Sequence, residues 1–159
     1  MGYDPVFIQE APPSCLKSFC GVGNPFSLGE IESGNNVLDI GSGAGFDLYI
    51  AKRLAGESGR VCGIDLTRDM VDLARKNLAE SGMNDIEILL VFSEAIPYDD
   101  NTFDTVISNG VINLSPCKRE LFLEIFRVLK NGGQLQFADV VLEKELPGTL
   151  AGSLEAWSQ

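Results

Sequence analysis

The residues with the clearest chemical potential stand where four apolar runs end. "VLDIGSGAGFD" (37–47) passes from apolar side chains to Asp39 and then into Gly41, Gly43 and Gly45. "RVCGID" (60–65) stops at Asp65, "IEILLVF" (86–92) leads into Phe92 and Ser93, and "FDTVISN" (103–109) closes on Asn109. Glycines after a strand let the backbone turn sharply and approach a ligand closely. Asp39, just ahead of that turn, would repel a pyrophosphate, the usual guest of a helix N-terminus. The spacing is G-x-G-x-G, not the dinucleotide G-x-G-x-x-G, and no G-K-[ST] phosphate loop is present. A carboxylate there suits a ligand bearing an ammonium group. Asp65, 20 residues beyond Gly45, can accept hydrogen bonds from both hydroxyls of a ribose. S-adenosylmethionine offers an ammonium, a sulfonium and a ribose together. Asp65 alone fits a nicotinamide dinucleotide equally well, so an oxidoreductase remains an alternative at this point.

The elements that must position these residues alternate along the chain. Strands are expected at 36–40, 60–65, 86–92, 103–109 and 134–142. Helical spacing falls at 45–56, at 67–82 with Thr67 as cap, and at 118–133 with Gly132-Gly133 as stop. A short helix is expected at 24–31, with Asn24 as cap and Pro25 in its first position. Residues 1–18 are Pro-rich and read as an irregular or loosely held arm, 19–147 as the ligand-binding domain, and 148–159 as a tail. Strands separated by such helices imply right-handed crossovers: an α/β, Rossmann-like, doubly wound parallel sheet of about five strands. Ligands of these sheets bind at the carboxyl ends of the strands. That rule brings the four chemical clusters to one edge.

Composition narrows the partners. With 12 Lys+Arg against 23 Asp+Glu the net charge is −11, which disfavours nucleic acid. No apolar run approaches the roughly 20 residues that span a membrane, and the N-terminus lacks the pattern of a secretory signal. Reduced thiols in the cytoplasm are therefore the expectation for Cys15, Cys20, Cys62 and Cys117. Their spacing does not suggest a metal site. The chain contains no His, which removes every Ser-His or Cys-His nucleophile scheme.

The stretches "GVGNPF" (21–26), "VLDIGSGAGFD", "GIDLTRDM" (63–70), "EAIP" (94–97), "VISNGVINLSP" (106–116), "RVLKNGG" (127–133) and "DVVLEKELP" (139–147) resemble the class I S-adenosylmethionine-dependent methyltransferases. Within that class the chain is most similar to the arsenite methyltransferase-like group. The resemblance implies that Asp39, Gly41, Ser42 and Gly43 hold the methionine end of the cofactor. It implies that Asp65 binds the ribose, that Leu66, Phe92 and Ser93 border the adenine, and that Asn109 and Gly110 lie beside the transferable methyl. Met70 reads as ordinary core. The chain departs from the arsenite enzymes at two thiol positions, now Val22 and Gly110, and at the two further strands expected after the fifth. Cys20 and Cys117 read as incidental and Cys62 as buried. The expected activity is methyl transfer to a small molecule, with a cofactor-binding module lacking turnover as the alternative. The open edge of the fifth strand is expected to pair with a second copy, or to lie under Leu146, Leu150, Leu154 and Trp157.

Overall fold

A computed structural model describes residues 2–141. Five strands form one sheet: β1 (Asn36–Ile40), β2 (Arg60–Asp65), β3 (Glu87–Leu90), β4 (Phe103–Asn109) and β5 (Leu129–Ala138). Their order is β3-β2-β1-β4-β5, and every pairing is parallel. The helices that connect them are α3 (Phe46–Ala55), α4 (Arg68–Glu80) and α5 (Lys118–Val128). Val37, Val61, Ile88 and Ile107 pack on one face with α3 and α4. Leu38, Cys62, Ile64 and Val106 pack on the other with Leu121, Ile125 and Val128 of α5. Burial on both faces explains why the strands read as near-continuous apolar runs, not as alternating ones. The doubly wound parallel sheet expected from the sequence is therefore present. Among the described residues no helix is long and apolar enough to cross a membrane.

The N-terminal segment differs from the irregular arm expected. It forms α1 (Pro5–Glu10), capped by the Asp4 side chain, and α2 (Pro13–Lys17). Tyr3, Ala11 and Cys15 are buried in the core over α3 and α4. The prolines that suggested irregularity sit at the first turns of these helices, where a missing N–H costs nothing. The helix expected at 24–31 shrinks to one 3-10 turn, Pro25–Ser27, with Asn24 accepting from the Phe26 N–H as its cap. The helix expected to reach residue 133 ends at Val128, and β5 begins at Leu129, ahead of the Asn-Gly-Gly. Leu129 pairs with Phe103 and packs on the core, so burial of its side chain outweighs the glycine stop signal. Strand β3 is shorter than the run 86–92. Leu146, Leu150, Leu154 and Trp157 lie outside the described residues.

Candidate functional site

The carboxyl ends of β1, β2 and β4 open into a cavity of about 560 Å3. Asp39, Gly41, Ser42, Gly43, Asp65, Leu66, Phe92, Ser93, Asn109 and Gly110 all line it, so the fold brings every expected site residue to one place. The N-terminal segment closes the near side with Cys15, Ser18, Phe19, Cys20 and Gly21. Among the described residues no Lys or Arg lines the cavity, while four carboxylates do: Asp39, Asp47, Asp65 and Glu94.

Local backbone geometry builds the floor. Gly41, Gly43 and Gly45 have φ values of 75°, 50° and 92°, a region costly for residues with a Cβ. A Cβ on Gly41 would stand 2.4 Å from Val111 Cγ2, whereas one on Gly43 would meet nothing within 4 Å. The Gly43 backbone thus lies bare toward open space, as a ligand cradle requires. Asp65 fixes this loop: one carboxylate oxygen accepts from the Gly43 N–H at 2.8 Å and the other from the Thr67 N–H at 2.8 Å. Thr67 stands at the N-cap of α4 as expected but makes no side-chain cap bond, and Asp65 braces it by accepting from its N–H. Ser42 lines the cavity while its polar atoms serve the loop. Its N–H donates to Ile64 O, and its Oγ is buried against Gly63 with no hydrogen-bond partner.

Asp39 is 2% exposed on β1. Burial raises its pKa well above the ordinary carboxylate range, and the neighbouring Asp47 and Asp65 push it further the same way. Such a group favours a cationic guest, whose charge offsets both effects. Asp47, in the first turn of α3, was not singled out in the sequence. It is 5% exposed, and burial raises its pKa too. Its oxygens accept from Tyr3 Oη at 2.7 Å and from Asn109 Nδ2 at 3.0 Å. The only sequence signal was an acid two residues past the last loop glycine, opposite the strand that carries Asp39.

Asn109 is the most heavily bonded side chain of the site. Its Oδ1 accepts from the N–H groups of Val22 and Gly23, and its Nδ2 donates to Tyr3 Oη, Gly23 O and Asp47. It clasps the 21–23 turn to β4 and leaves little capacity for a substrate. Gly21 must be glycine, because a Cβ there would stand 2.4 Å from Asn109 Nδ2. Val22 and Gly110 are neighbours: a Cβ on Gly110 would meet Val22 Cγ1 at 3.3 Å. Cys20 lines the cavity, whereas Cys117 lies outside its wall, exposed at the start of α5. Cys62 is fully buried, as expected. Met70, in the first turn of α4, lines the cavity half-buried, a correction to its reading as core.

Residues 31–159 match the methyltransferase domain family. The chain belongs to that family. It is 39% identical over 127 residues to the arsenite methyltransferase of Halobacterium salinarum, covering 80% of this chain and 32% of that protein. With the human arsenite methyltransferase it shares 36% over 132 residues, covering 77% of this chain and 35% of the relative. The crystal structure of the arsenic(III) S-adenosylmethionine methyltransferase of Chlamydomonas reinhardtii superposes with a TM-score of 0.86 at 32% identity. That match covers 97% of this chain and 54% of the other. This methyltransferase chain thus spans about a third of the curated relatives named. The family and its solved relatives carry the expectation of S-adenosylmethionine as cofactor. The bare Gly43 backbone, the buried Asp39 and the acid-lined wall fit such a cofactor.

Proposed function

We propose that the chain is an S-adenosylmethionine-dependent methyltransferase of the arsenite methyltransferase-like type, acting on a small-molecule acceptor. The observation that carries this reading is the cavity itself: a glycine cradle at strand ends, walled by carboxylates and, among the described residues, without Lys or Arg. A pyrophosphate cofactor would find no counter-charge there; a cationic amino-acid end finds two buried acids. Asp39 and the Gly41–Gly43 backbone hold the methionine end. Asp65 keeps free lone pairs for the ribose hydroxyls while holding the loop. Leu66 and Phe92 offer exposed apolar faces to the adenine, and the Ser93 N–H a donor. S-adenosylmethionine supplies an electrophilic methyl together with its leaving group, so the protein's part is alignment and exclusion of water. Asn109 acts as a positioning residue that fixes Gly110 and the 21–23 turn beside the acceptor. A soft nucleophile such as a thiolate needs no strong base there, which makes the absence of His immaterial.

The acceptor mouth carries Val22 and Gly110 where the resembled enzymes carry thiols, so trivalent arsenic is not held in the same way. Calorimetry with S-adenosylhomocysteine and with NAD is expected to show saturable binding of the first only. Turnover is then assayed with arsenite and with small thiols. Cofactor binding with no methylated product from any acceptor class favours the module without turnover. Binding of NAD alone overturns the reading. We place the protein in the cytoplasm on its four cysteines, all of them free thiols, without nucleic-acid partners on the charge argument. We read the β5 edge, flanked by exposed Phe126 and Phe137, as a pairing surface for a second copy. Light scattering at tens of micromolar tests this, and a monomer overturns it.

A further inference from the structure

We propose that Asp47 is a second binding carboxylate for the cationic end of the cofactor, and that Tyr3 acts through it as a positioning residue delivered by the N-terminal segment. The inference rests on the methyltransferase reading above and assigns a residue pair that neither the glycine loop nor the strand ends disclose. Asp47 lines the cavity, nearly fully buried, on the side of the sheet that also carries Asp39. Two donors converge on it from distant parts of the chain, Tyr3 Oη and Asn109 Nδ2, and Asn109 also donates to Tyr3 Oη at 2.9 Å. The three side chains therefore close a ring that fixes the carboxylate in one orientation. Tyr3 is held in place by edge-on contacts with Phe19, Phe26 and Phe46, so its hydroxyl has no freedom to turn away. The phenol is kept protonated by burial and by Asp47 itself, which makes it a permanent donor.

The groups facing Asp47 are Tyr3 from the N-terminal segment, Asn109 from β4 and Asp39 from β1, with Asp65 of β2 beyond Asp39. Cys15, Cys20 and Glu94 complete the titratable groups of the same wall. None carries a positive charge. An incoming ammonium or sulfonium is the missing counter-charge. A hydrogen bond to the charged form favours ionisation, so Tyr3 keeps Asp47 available as an anion against the cost of burial. Loss of that donor moves the ionisation of Asp47 to higher pH.

The test compares two probes on the intact chain: S-adenosylhomocysteine, which carries the ammonium, and adenosine, which lacks the amino-acid end. Calorimetry is run from pH 6 to pH 9 on the wild type, Asp47→Asn and Tyr3→Phe. The expectation for Asp47→Asn is loss of about tenfold or more in S-adenosylhomocysteine affinity with adenosine unchanged. For Tyr3→Phe the loss is smaller at neutral pH and recovers as pH rises, a shift that a merely structural tyrosine would not produce. Variants that weaken both probes equally, or neither, overturn the role of Asp47 while leaving the methyltransferase reading intact. A wild type that binds neither probe overturns that reading and this inference with it.

Discussion

The two flanks of the sheet are built to different standards. Around β1 the chain is finished: four of its five residues are buried, both edges are paired, and helices or the N-terminal segment cover both faces. Around β5 it is not. Among the described residues β5 has one neighbour, Gln136 is its single fully buried residue, and Phe126 on the adjoining helix is 80% exposed. The cavity lies mainly on the finished flank, with Leu121 its one wall residue from α5. The difference teaches that the cofactor half of the fold depends on β1 to β4 and the N-terminal segment. The β5 flank is where sequence can change, or a partner can dock, without disturbing the cradle.

The sharpest way to break this contrast is to remove volume from the finished flank. Leu38, fully buried at the centre of β1, is expected to cost about 2–5 kcal/mol of stability as Leu38→Ala, through lost transfer energy and a residual cavity. Urea denaturation measures it, and a cost comparable with that of a surface change would show the flank to be loosely packed. Next in size is Asp65→Ala, expected to cost about 1.5–3 kcal/mol in S-adenosylhomocysteine binding, since charged hydrogen bonds are lost. Part of that loss comes from freeing the Gly43 loop.

Asp39→Asn sharpens the comparison from within the site. A carboxyl whose folded pKa is raised binds more protons folded than unfolded, so apo stability falls as pH rises from the ordinary carboxylate range through the raised value. The variant removes that cost. It is expected to melt higher than the wild type at pH 7, by about 1–2 kcal/mol of stability, yet bind S-adenosylhomocysteine more weakly. For the wild type, ligand-induced stabilisation should grow across the same pH span. A flat profile would mean Asp39 is not the cation's partner. The smallest effect is expected on the other flank: Phe126→Ser should change stability by no more than about 0.5 kcal/mol while lowering any self-association seen by light scattering.

The cofactor half was readable in sequence because its signals are local. A strand, its terminal acid and its glycine turn lie within eleven consecutive residues, and one topological rule gathers the other strand ends beside them. What could not be read depends on contacts between remote segments. Asp47 looks like any polar residue of a helix until Tyr3, 44 residues earlier, and Asn109, 62 residues later, are seen to bond it. The N-terminal helices are not legible because proline reads as a breaker, although at a first turn it starts a helix. The end of α5 was missed because Leu129 gains more from the core than from one further helical turn. The resemblance sets Asn109 beside the reacting methyl, and its clasp on the 21–23 turn depends on contacts with a remote segment.

The hydrogen bond from Asn109 to Tyr3 spans 106 residues of sequence, and that separation sets a schedule for folding. Bringing such distant segments together carries a loop-closure cost that local contacts do not. β1 through β4 must be present before Tyr3 Oη can accept from Asn109 Nδ2, so the clasp between the N-terminal segment and the site closes after the cradle strands have formed. The cradle can thus be assembled before its near wall closes, leaving an interval in which the open site is accessible from the side that the mature protein seals.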